Sequence, residues 1–353
     1  MFELNKRIKL ADHMIGANDP VYIVAEMSAN HLQDYNRAVE IIHAAKEAGV
    51  DAIKLQTYTA DTITIDSDKD YFKITGGTIW DGTTLHKLYQ EAYTPWDWQP
   101  KLCKVAKELG LDCFSSPFDS TAVDFMEEMN MPAYKIASYE ITDIPLIRQC
   151  ASKKKPIILA TGVARESDIR LAIEACIEEG NKDVILLKCV SAYPTPYEDV
   201  NLNMIPTLAQ EYGCIVGLSD HTMGSTVAVS SVALGVRMIE KHLTLKRSDG
   251  GPDGAFSMEP QEFAELVKNV RIVEKALGSK EYKLTPVQET EREGARSLFI
   301  VKDIRQGEAL TPENIKSIRP GNGLPPVEYD KVIGKIASHD LYRGDPLKYE
   351  DFN

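Results

Sequence analysis

The residues best able to do chemistry in this chain are two histidines, each of which closes a short strand-like run. His221 follows residues 215–218 after two further positions, and His242 directly follows residues 238–241. If the two runs are neighbouring strands, their imidazoles converge. Two neutral imidazoles with open positions suit a divalent cation that also holds water and a substrate oxygen. Hydrogen-bonded structural histidines are the alternative. The spacing is not that of an HExxH zinc motif and no cysteine is close in sequence, which argues against structural zinc.

Two lysines, Lys54 and Lys135, lie inside other runs of the same kind. An isolated buried ammonium is very costly, so each lysine must face a negative charge. A phosphate-bearing substrate would supply that charge. Salt bridges to Glu26 and Glu240 are the alternative. The two interpretations are compatible if the carboxylates pair with the lysines when the site is empty. A Schiff-base lysine is a third interpretation, weakened by the metal site. Further donors to a phosphate would be the hydroxyls of Ser116, Ser138 and Thr161.

Polar side chains end every one of eight such runs, whereas the bodies of the runs are mainly apolar. One polar end is expected simply because a strand must stop. A complete ring of them is better explained by a ligand site than by a solvated rim. The ring also contains Glu26, Gln56, Ser191, Tyr193, Ser219 and Glu240.

The elements that must position these residues alternate regularly along the chain. Between most of the eight runs lie stretches with helical periodicity, such as residues 38–48 and 166–178. Alternating strands and helices predict a parallel sheet, and eight repeats in about 240 residues predict a TIM (β/α)8 barrel. An open doubly wound sheet is the alternative, but no GxGxxG follows the first strand. The predicted strands are residues 22–25, 52–55, 113–115, 134–137, 157–160, 185–188, 215–218 and 238–241.

Three segments depart from this alternation. Residues 5–16 alternate weakly and predict a hairpin that caps the barrel floor. Residues 58–96 are too long for an ordinary loop and contain Trp80 and Trp96, so we expect them to shape substrate specificity. Near the C-terminus, residues 302–310 and 339–347 share the pattern Asp-aliphatic-x-x-Gly-acid-x-Leu. This duplication predicts a small, mostly β second domain. The predicted division is a barrel over residues 1–279, a polar linker over 280–293 and the small domain over 294–353.

Composition excludes several classes of function. The chain has 353 residues, of which 43% are hydrophobic and 26% charged, which is typical of a globular protein. A net charge of −13 argues against nucleic-acid binding. The apolar runs are far shorter than the roughly 20 residues of a membrane span, and the N-terminus lacks the apolar core of a signal peptide. The six cysteines are scattered and predict reduced thiols in the cytoplasm.

The polar strand ends resemble those of the sialic acid synthase family. The matching phrases follow one another in order over nearly the whole chain: IVAEMSANH (23–31), AIKLQT (52–57), YKIAS (134–138), YPTPYED (193–199), GLSDH (217–221) and IEKH (239–242). The C-terminal domain, which begins near ARSL (295–298), looks like the antifreeze-like (SAF) domain of those enzymes.

This resemblance implies a condensation between phosphoenolpyruvate and the aldehyde of an acetamido sugar. C3 of phosphoenolpyruvate bonds to the aldehyde carbon, water attacks C2, and phosphate leaves. It also implies a divalent cation (Mn²⁺, Co²⁺ or Mg²⁺) on His221 and His242, with Glu26 handling the water proton. The implied catalytic residues are Glu26, Asp253 and Glu240, and the implied substrate-binding residues are Lys54, Gln56, Ser116, Lys135, Ser138, Thr161, Ser191, Tyr193, Ser219 and Arg296.

Within the family, TPWDW (94–98) with Trp80 upstream resembles the pseudaminic acid branch, which implies 2,4-diacetamido-2,4,6-trideoxy-altrose as the sugar. Ser191 and Ser116 stand where some relatives carry Asn and Thr. These differences bear on which sugar is used more than on the type of reaction. The resemblance further implies a domain-swapped homodimer in which Arg296 enters the partner's barrel. N-acetylneuraminate or N,N'-diacetyllegionaminate synthesis is the alternative within the family, and a non-catalytic carbohydrate-binding scaffold is the alternative outside it.

Overall fold

The computed structural model describes residues 2–353 and contains a closed barrel of eight parallel strands. Consecutive strands of the ring are neighbours along the chain, and the last, residues 238–242, closes the ring by pairing with the first, residues 22–26. The predicted TIM barrel is therefore confirmed. The strands of this first unit are β1 (Arg7–Leu10), β2 (His13–Gly16), β3 (Tyr22–Glu26), β4 (Ala52–Thr57), β5 (Asp112–Pro117), β6 (Tyr134–Ile136), β7 (Ile157–Ala160), β8 (Val184–Lys188), β9 (Ile215–Asp220) and β10 (Met238–His242).

Helices follow the strands and pack outside the barrel. Local sequence sets their ends, as α1 illustrates: the Asp34 side chain accepts hydrogen bonds from the first free N–H groups, and Gly49 ends the helix with a φ of 82°. The helices are α1 (Tyr35–Ala48), α2 (Ala60–Ile63), α3 (Leu85–Ala92), α4 (Gln99–Glu108), α5 (Ser120–Glu128), α6 (Ile144–Ser152), α7 (Glu166–Glu178), α8 (Met204–Tyr212), α9 (Thr226–Ala233) and α10 (Pro260–Ala276). Among the described residues, no helix is long and apolar enough to cross a membrane.

Side-chain alternation along the strands divides the apolar residues between two cores. On β3, Ile23 and Ala25 belong to the layer between strands and helices, whereas Tyr22 and Val24 belong to a second cluster with residues of other barrel strands. Ile8 and Ile15 from the β1–β2 hairpin join that second cluster, which confirms the predicted hairpin cap, at the N-terminal end of the barrel. The N-terminal end of the barrel is thus filled with apolar side chains, and only the carboxyl ends of the strands remain for a polar site.

Residues 58–96 are more ordered than a loop. They contain α2 and α3, and Lys73 bridges Thr84 to close an internal turn. The Thr84 hydroxyl accepts a hydrogen bond from the first turn of α3. The long insertion therefore presents a defined surface to the carboxyl ends of the strands.

The second compact unit begins at Ser279, directly after the first unit ends at Gly278. It contains β11 (Ser297–Ile300), antiparallel to β12 (Ile315–Ile318), together with α11 (Pro286–Glu291) and α12 (Tyr329–Val332). The short helix α11 lies inside the segment predicted as a linker. Capping explains the helix, because Thr285 accepts a hydrogen bond from Gln288 N and proline stands at the first helical turn.

The two duplicated phrases pair with each other in this unit. Ile304 and Leu341 exchange backbone hydrogen bonds of 2.9 and 2.8 Å. Asp303 accepts a hydrogen bond from the backbone N–H of Arg343, and Asp340 accepts one from the N–H of Gln306. In both cases the donor stands three positions after the aspartate of the opposite phrase. Equivalent residues make equivalent contacts, which is the structural form of the sequence repeat.

Candidate active site

A cavity of about 560 Å³ opens at the carboxyl ends of the barrel strands. Most of the residues singled out from sequence converge on it, although they come from many different strands. The predicted residues that line it are Glu26, Lys54, Gln56, Ser116, Lys135, Ser138, Tyr193, His221, Glu240, His242 and Asp253.

The deepest polar part of the cavity is a cluster of two lysines and two glutamates, which we call the floor: Glu26, Lys54, Lys135 and Glu240. Lys54 Nζ contacts the Glu26 carboxylate directly and lies 3.7 Å from Glu240 Oε2, and Lys135 Nζ lies 3.4 Å from Glu240 Oε1. All four side chains are at most 7% exposed. The salt bridges considered as the alternative to phosphate binding therefore exist when no ligand is present.

Burial and mutual charge shift the floor carboxyls in opposite directions. Burial raises the pKa of Glu26 to about 7; Lys54 opposes the rise, and the charge of Glu240 adds to it. Burial acts in the same sense on Glu240, but Lys135 and Lys54 together lower the pKa of that group. The surroundings therefore favour the ionised form of Glu240 beside the lysines and raise the proton affinity of Glu26.

The two histidines lie side by side above the floor, with ring centroids 5.3 Å apart. His221 Nδ1 lies 3.0 Å from the carbonyl oxygen of Val190. Because a carbonyl only accepts, that nitrogen carries the proton and Nε2 keeps its lone pair. Burial, followed by the charges of His221 and Lys54, lowers the pKa of His242 well below its usual value. His242 Nδ1 is buried without a hydrogen-bond partner.

These observations fit a cation held by two protein ligands. A neutral imidazole with an unpartnered buried nitrogen is a competent ligand, and the Val190 carbonyl orients its neighbour as a supporting contact should. Burial lowers the pKa of His221, but the adjacent Cys189 sulfur outweighs this effect, so the net shift is upward. Among residues 2–353, no group of three or more His, Cys, Asp or Glu side chains is arranged to hold a metal.

Asp253 belongs to a second polar group on the cavity wall. Its carboxylate accepts hydrogen bonds from the Ser28 hydroxyl and, at 3.4 Å, from the backbone N–H of Ala29. Gln56 Nε2 lies 3.1 Å from both Ser28 Oγ and Glu26 Oε1. Burial raises the pKa of Asp253, and the Ser28 hydroxyl opposes the rise. This chain of contacts connects Asp253 to the floor through Gln56.

The outer part of the cavity is apolar and comes largely from the long insertion. Trp80 reaches across to donate its indole N–H to the carbonyl oxygen of Pro252 at 2.8 Å, and its ring packs on Tyr193. Tyr193 in turn lies against His221, with ring centroids 4.4 Å apart. Trp96 does not line the cavity, because its ring stacks on Phe125 instead. We call the apolar residues that the insertion contributes to the cavity the insertion wall. They are Tyr58, Ile63, Ile74, Trp80, Leu85, Leu88, Tyr89 and Ala92.

Four predicted residues are not among those lining the cavity: Thr161, Ser191, Ser219 and Arg296. Thr161 donates its hydroxyl to the carbonyl of Leu187, and Ser219 donates to Glu240 Oε1. The Ser191 hydroxyl is buried without a partner, close to the point where Gly162 leaves no room for a Cβ. Arg296, in the second unit, donates to the carbonyl of Ser317. Thr161 and Ser219 thus contact groups beside the cavity.

Sequence reasoning missed several lining residues, notably Ser28, Tyr139, Glu140 and Cys189. Each stands one to four residues beyond the end of a barrel strand, and three of them belong to the short 3-10 turns Ser28–His31 and Ser138–Thr142. Burial raises the pKa of Glu140 to about 7, against the opposing charge of Lys135. The available signal was proximity to strand ends, but it does not reveal which turn residues point inward.

Comparison with known proteins gives this geometry a family. The NeuB family model matches residues 41–282, and the SAF domain model matches residues 295–353. The chain belongs to the NeuB family. The resemblance to sialic acid synthases that the strand ends suggested is therefore confirmed, together with the SAF domain.

Individual relatives of this NeuB-family chain agree over nearly its full length. It is 47% identical over 333 residues to the pseudaminic acid synthase of Helicobacter pylori, covering 94% of this chain and 98% of that relative. It is 35% identical over 343 residues to the N,N'-diacetyllegionaminic acid synthase of Legionella pneumophila, covering 95% of each. The N-acetylneuraminic acid synthetase structure from Leptospira borgpetersenii superposes with a TM-score of 0.73 at 31% identity, covering 82% of this chain and 96% of that one.

Proposed function

We propose that the protein is a pseudaminic acid synthase. It condenses phosphoenolpyruvate with 2,4-diacetamido-2,4,6-trideoxy-altrose and water, giving pseudaminic acid and phosphate. The observation that carries this proposal is the floor of paired lysines and glutamates beside two converging histidines, inside a NeuB-family barrel. The sugar is proposed from the higher identity to a pseudaminic acid synthase than to a legionaminic one, 47% against 35%.

The floor is the proposed phosphoenolpyruvate site. Lys54 and Lys135 are buried and already desolvated, so an arriving phosphate or carboxylate does not have to strip them of water. Ser116 Oγ lies 3.4 Å from Lys54 Nζ, and Ser138, which also lines the cavity, accepts a hydrogen bond from Gly162 N. In this proposal the substrate anion replaces Glu26 as the partner of Lys54, while Glu240 keeps the lysines in place.

His221 and His242 are the proposed ligands of a divalent cation. Mn²⁺, Co²⁺ or Mg²⁺ bound there would act as a Lewis acid towards the sugar aldehyde. The Val190 carbonyl orients the His221 ring, and burial lowers the pKa of His242 and so favours its neutral form. Tyr193 packs against one histidine ring and limits the access of water to it.

Glu26 is the proposed proton acceptor for the water that attacks C2. A group with a pKa of about 7 is ionised often enough to accept a proton at neutral pH and basic enough to do so usefully. Gln56 and the backbone N–H of Ser28 both donate to Glu26 Oε1 at 3.1 Å and hold the carboxyl in one orientation. Asp253, linked to the same network through Ser28, is proposed to bind the sugar near the histidines.

The insertion wall is the proposed basis of sugar choice. The reacting aldehyde must lie near the histidines and the floor, so the far end of the sugar extends towards the apolar outer part of the cavity. A 6-deoxy sugar places a methyl group there instead of a hydroxyl. An apolar pocket discriminates such a change by about 1–3 kcal/mol, so the preference is expected to be clear but not absolute.

The assembly and the compartment are also part of the proposal. Arg296 is expected to act on the barrel of a partner subunit in a domain-swapped dimer, because an arginine offers forked donors to a sugar's polar groups. All six cysteines are free, which fits a reducing cytoplasm.

The decisive experiment assays purified protein with phosphoenolpyruvate, a divalent metal and one of three sugars. The sugars are the trideoxy-altrose derivative, the legionaminic precursor and N-acetylmannosamine. We expect phosphate release, and we expect the highest kcat/KM with the first sugar. Mass spectrometry identifies the product formed from each sugar. A higher kcat/KM with either other sugar would overturn the sugar assignment and leave the reaction class intact. No phosphate release with any sugar would overturn the enzyme assignment.

A further inference from the structure

A fully buried ion pair lies behind the two histidines, on the opposite face of the sheet from the cavity. The register pairs Glu240 with Ser219 and Lys241 with Asp220 across β9 and β10. Glu240 lines the cavity, so its strand neighbour Lys241 points to the helix side, and Asp220 alternates with Ser219 in the same way. Lys241 Nζ and Asp220 Oδ2 are 2.9 Å apart, and each side chain is 1% exposed.

This pair is bonded to the backbone on both sides of His221. Lys241 Nζ donates to the carbonyl oxygen of Thr222 at 2.6 Å and approaches that of Asp220 at 3.4 Å. Asp220 Oδ1 accepts the backbone N–H of Thr222 at 2.9 Å. Lys241 is also the residue immediately before His242. One ammonium group therefore connects the backbone segments that carry both imidazoles.

Stability alone does not explain charges at this position. Moving two ions out of water is expensive, and a well-packed hydrophobic pair of similar volume is often as stable or more so. Apolar side chains, however, have no directional bonds with which to hold the chain between residues 220 and 222. What distinguishes the ion pair is that it fixes the geometry of the loop carrying His221 relative to the strand end carrying His242.

We propose that Asp220 and Lys241 are positioning residues, which hold His221 and His242 at the spacing that a divalent cation requires. They touch neither substrate nor metal and act only through the backbone of the two histidines. This inference rests on the metal site of the proposed function. It predicts that the pair contributes to metal affinity rather than to folding.

The test replaces the pair by apolar residues of similar size, in the double variant Asp220→Leu/Lys241→Met. Manganese binding to the metal-free protein is measured by titration calorimetry, and thermal unfolding is measured without metal. We expect a melting temperature equal to or above that of the unaltered protein, and an affinity for Mn²⁺ lowered by about 10–100-fold, the range found when a supporting contact of a metal ligand is removed. Phosphoenolpyruvate affinity, measured without metal, should not change.

A matched control removes a buried cross-strand polar contact on strands that carry neither histidine. Thr57 and Ser115 share a hydrogen bond of 2.7 Å between β4 and β5, and neither residue lines the cavity. Thr57→Val/Ser115→Ala should leave manganese affinity within about twofold, because it perturbs the sheet without touching the histidine segments. A comparable loss in this control would mean that any disturbance of the barrel weakens the site, and would overturn a specific role for the pair.

Three further results have defined meanings. A folded Asp220→Leu/Lys241→Met variant that binds manganese as well as the unaltered protein overturns the proposal. If that variant does not fold, the isosteric Asp220→Asn replaces it, with weaker binding supporting the proposal and unchanged binding overturning it. An unaltered protein that binds no Mn²⁺, Co²⁺ or Mg²⁺ overturns the metal site and this inference together, whereas phosphate release tests the rest of the proposed function separately.

Discussion

Replacing Lys135 by methionine is expected to weaken phosphoenolpyruvate binding selectively. Methionine preserves most of the side-chain volume and removes only the charge and its donors. Lys135 Nζ lies 3.4 Å from Glu240 Oε1, and its side chain is 7% exposed. The substitution therefore leaves Lys54, at 3.7 Å, as the remaining lysine beside Glu240, and it takes one of two cations from the proposed phosphate site.

The size of the effect follows from this burial. Two unit charges about 4 Å apart interact by about 4 kcal/mol at an effective dielectric constant near 20. Removing one partner of a buried pair costs roughly 3–5 kcal/mol. Because Lys54 still neutralises part of the charge, we take the lower limit, about 3 kcal/mol. At 1.4 kcal/mol for each factor of ten, the KM for phosphoenolpyruvate should rise by about 100-fold.

The assay is phosphate release, with each substrate varied while the other is saturating. The KM for the sugar should change by less than about threefold, since Lys135 does not contact the proposed sugar site. Lys188→Met is the matched control: Lys188 stands at the end of β8, donates to the carbonyl of Cys189 and does not line the cavity. Equal rises in KM for both substrates, or a KM for phosphoenolpyruvate unchanged in Lys135→Met, would refute the assignment of the floor.

Three other predictions follow from the site. Chelation should abolish turnover and Mn²⁺ should restore it, whereas an active His221→Ala protein with unchanged metal content would contradict the metal site. The plot of kcat/KM against pH should rise through about pH 7, because Glu26 must lose its proton to act as a base. The Glu26→Gln variant should no longer show this rise. If Glu140→Gln removes the rise instead, the base is Glu140, whose pKa is also about 7. Mixing Arg296→Ala and His242→Ala chains, with subunit exchange verified, should restore activity in mixed dimers, and no recovery would show that Arg296 does not act across subunits.

The barrel was predictable because its signals are local. Each buried strand is a short apolar run, and capping residues such as Asp34 and Gly49 mark where a helix begins and ends. The predicted run at 157–160 matches β7, and the others differ from the observed strands by one or two residues at their ends. The long insertion was harder to predict, since α2 and α3 have only four and eight residues and such short helices show little periodicity.

The sequence was enough to predict most of the residues that form the candidate site, but not how their side chains are arranged in it. Parallel strands all end at the same rim, so the ring closure alone brings Lys54, Lys135 and Glu240 together. Which oxygen faces which ammonium depends on side-chain directions that periodicity does not encode. The three indoles near the insertion show the difference: only Trp80 reaches the cavity, whereas Trp96 stacks on Phe125 and Trp98 contacts His31.

Residue types at short spacing are enough to predict the barrel, the repeat in the second unit and the set of polar strand ends. Contacts between distant segments depend instead on how the folded chain brings those segments together. Ser28 meets Asp253, Trp80 meets Pro252, and Lys54 lies within reach of Glu240. Such partners are separated by more than 150 residues, and they meet only after β10 has paired with β3 and closed the ring. Side-chain direction at the rim then follows from strand register, a property of the assembled sheet and not of any single strand.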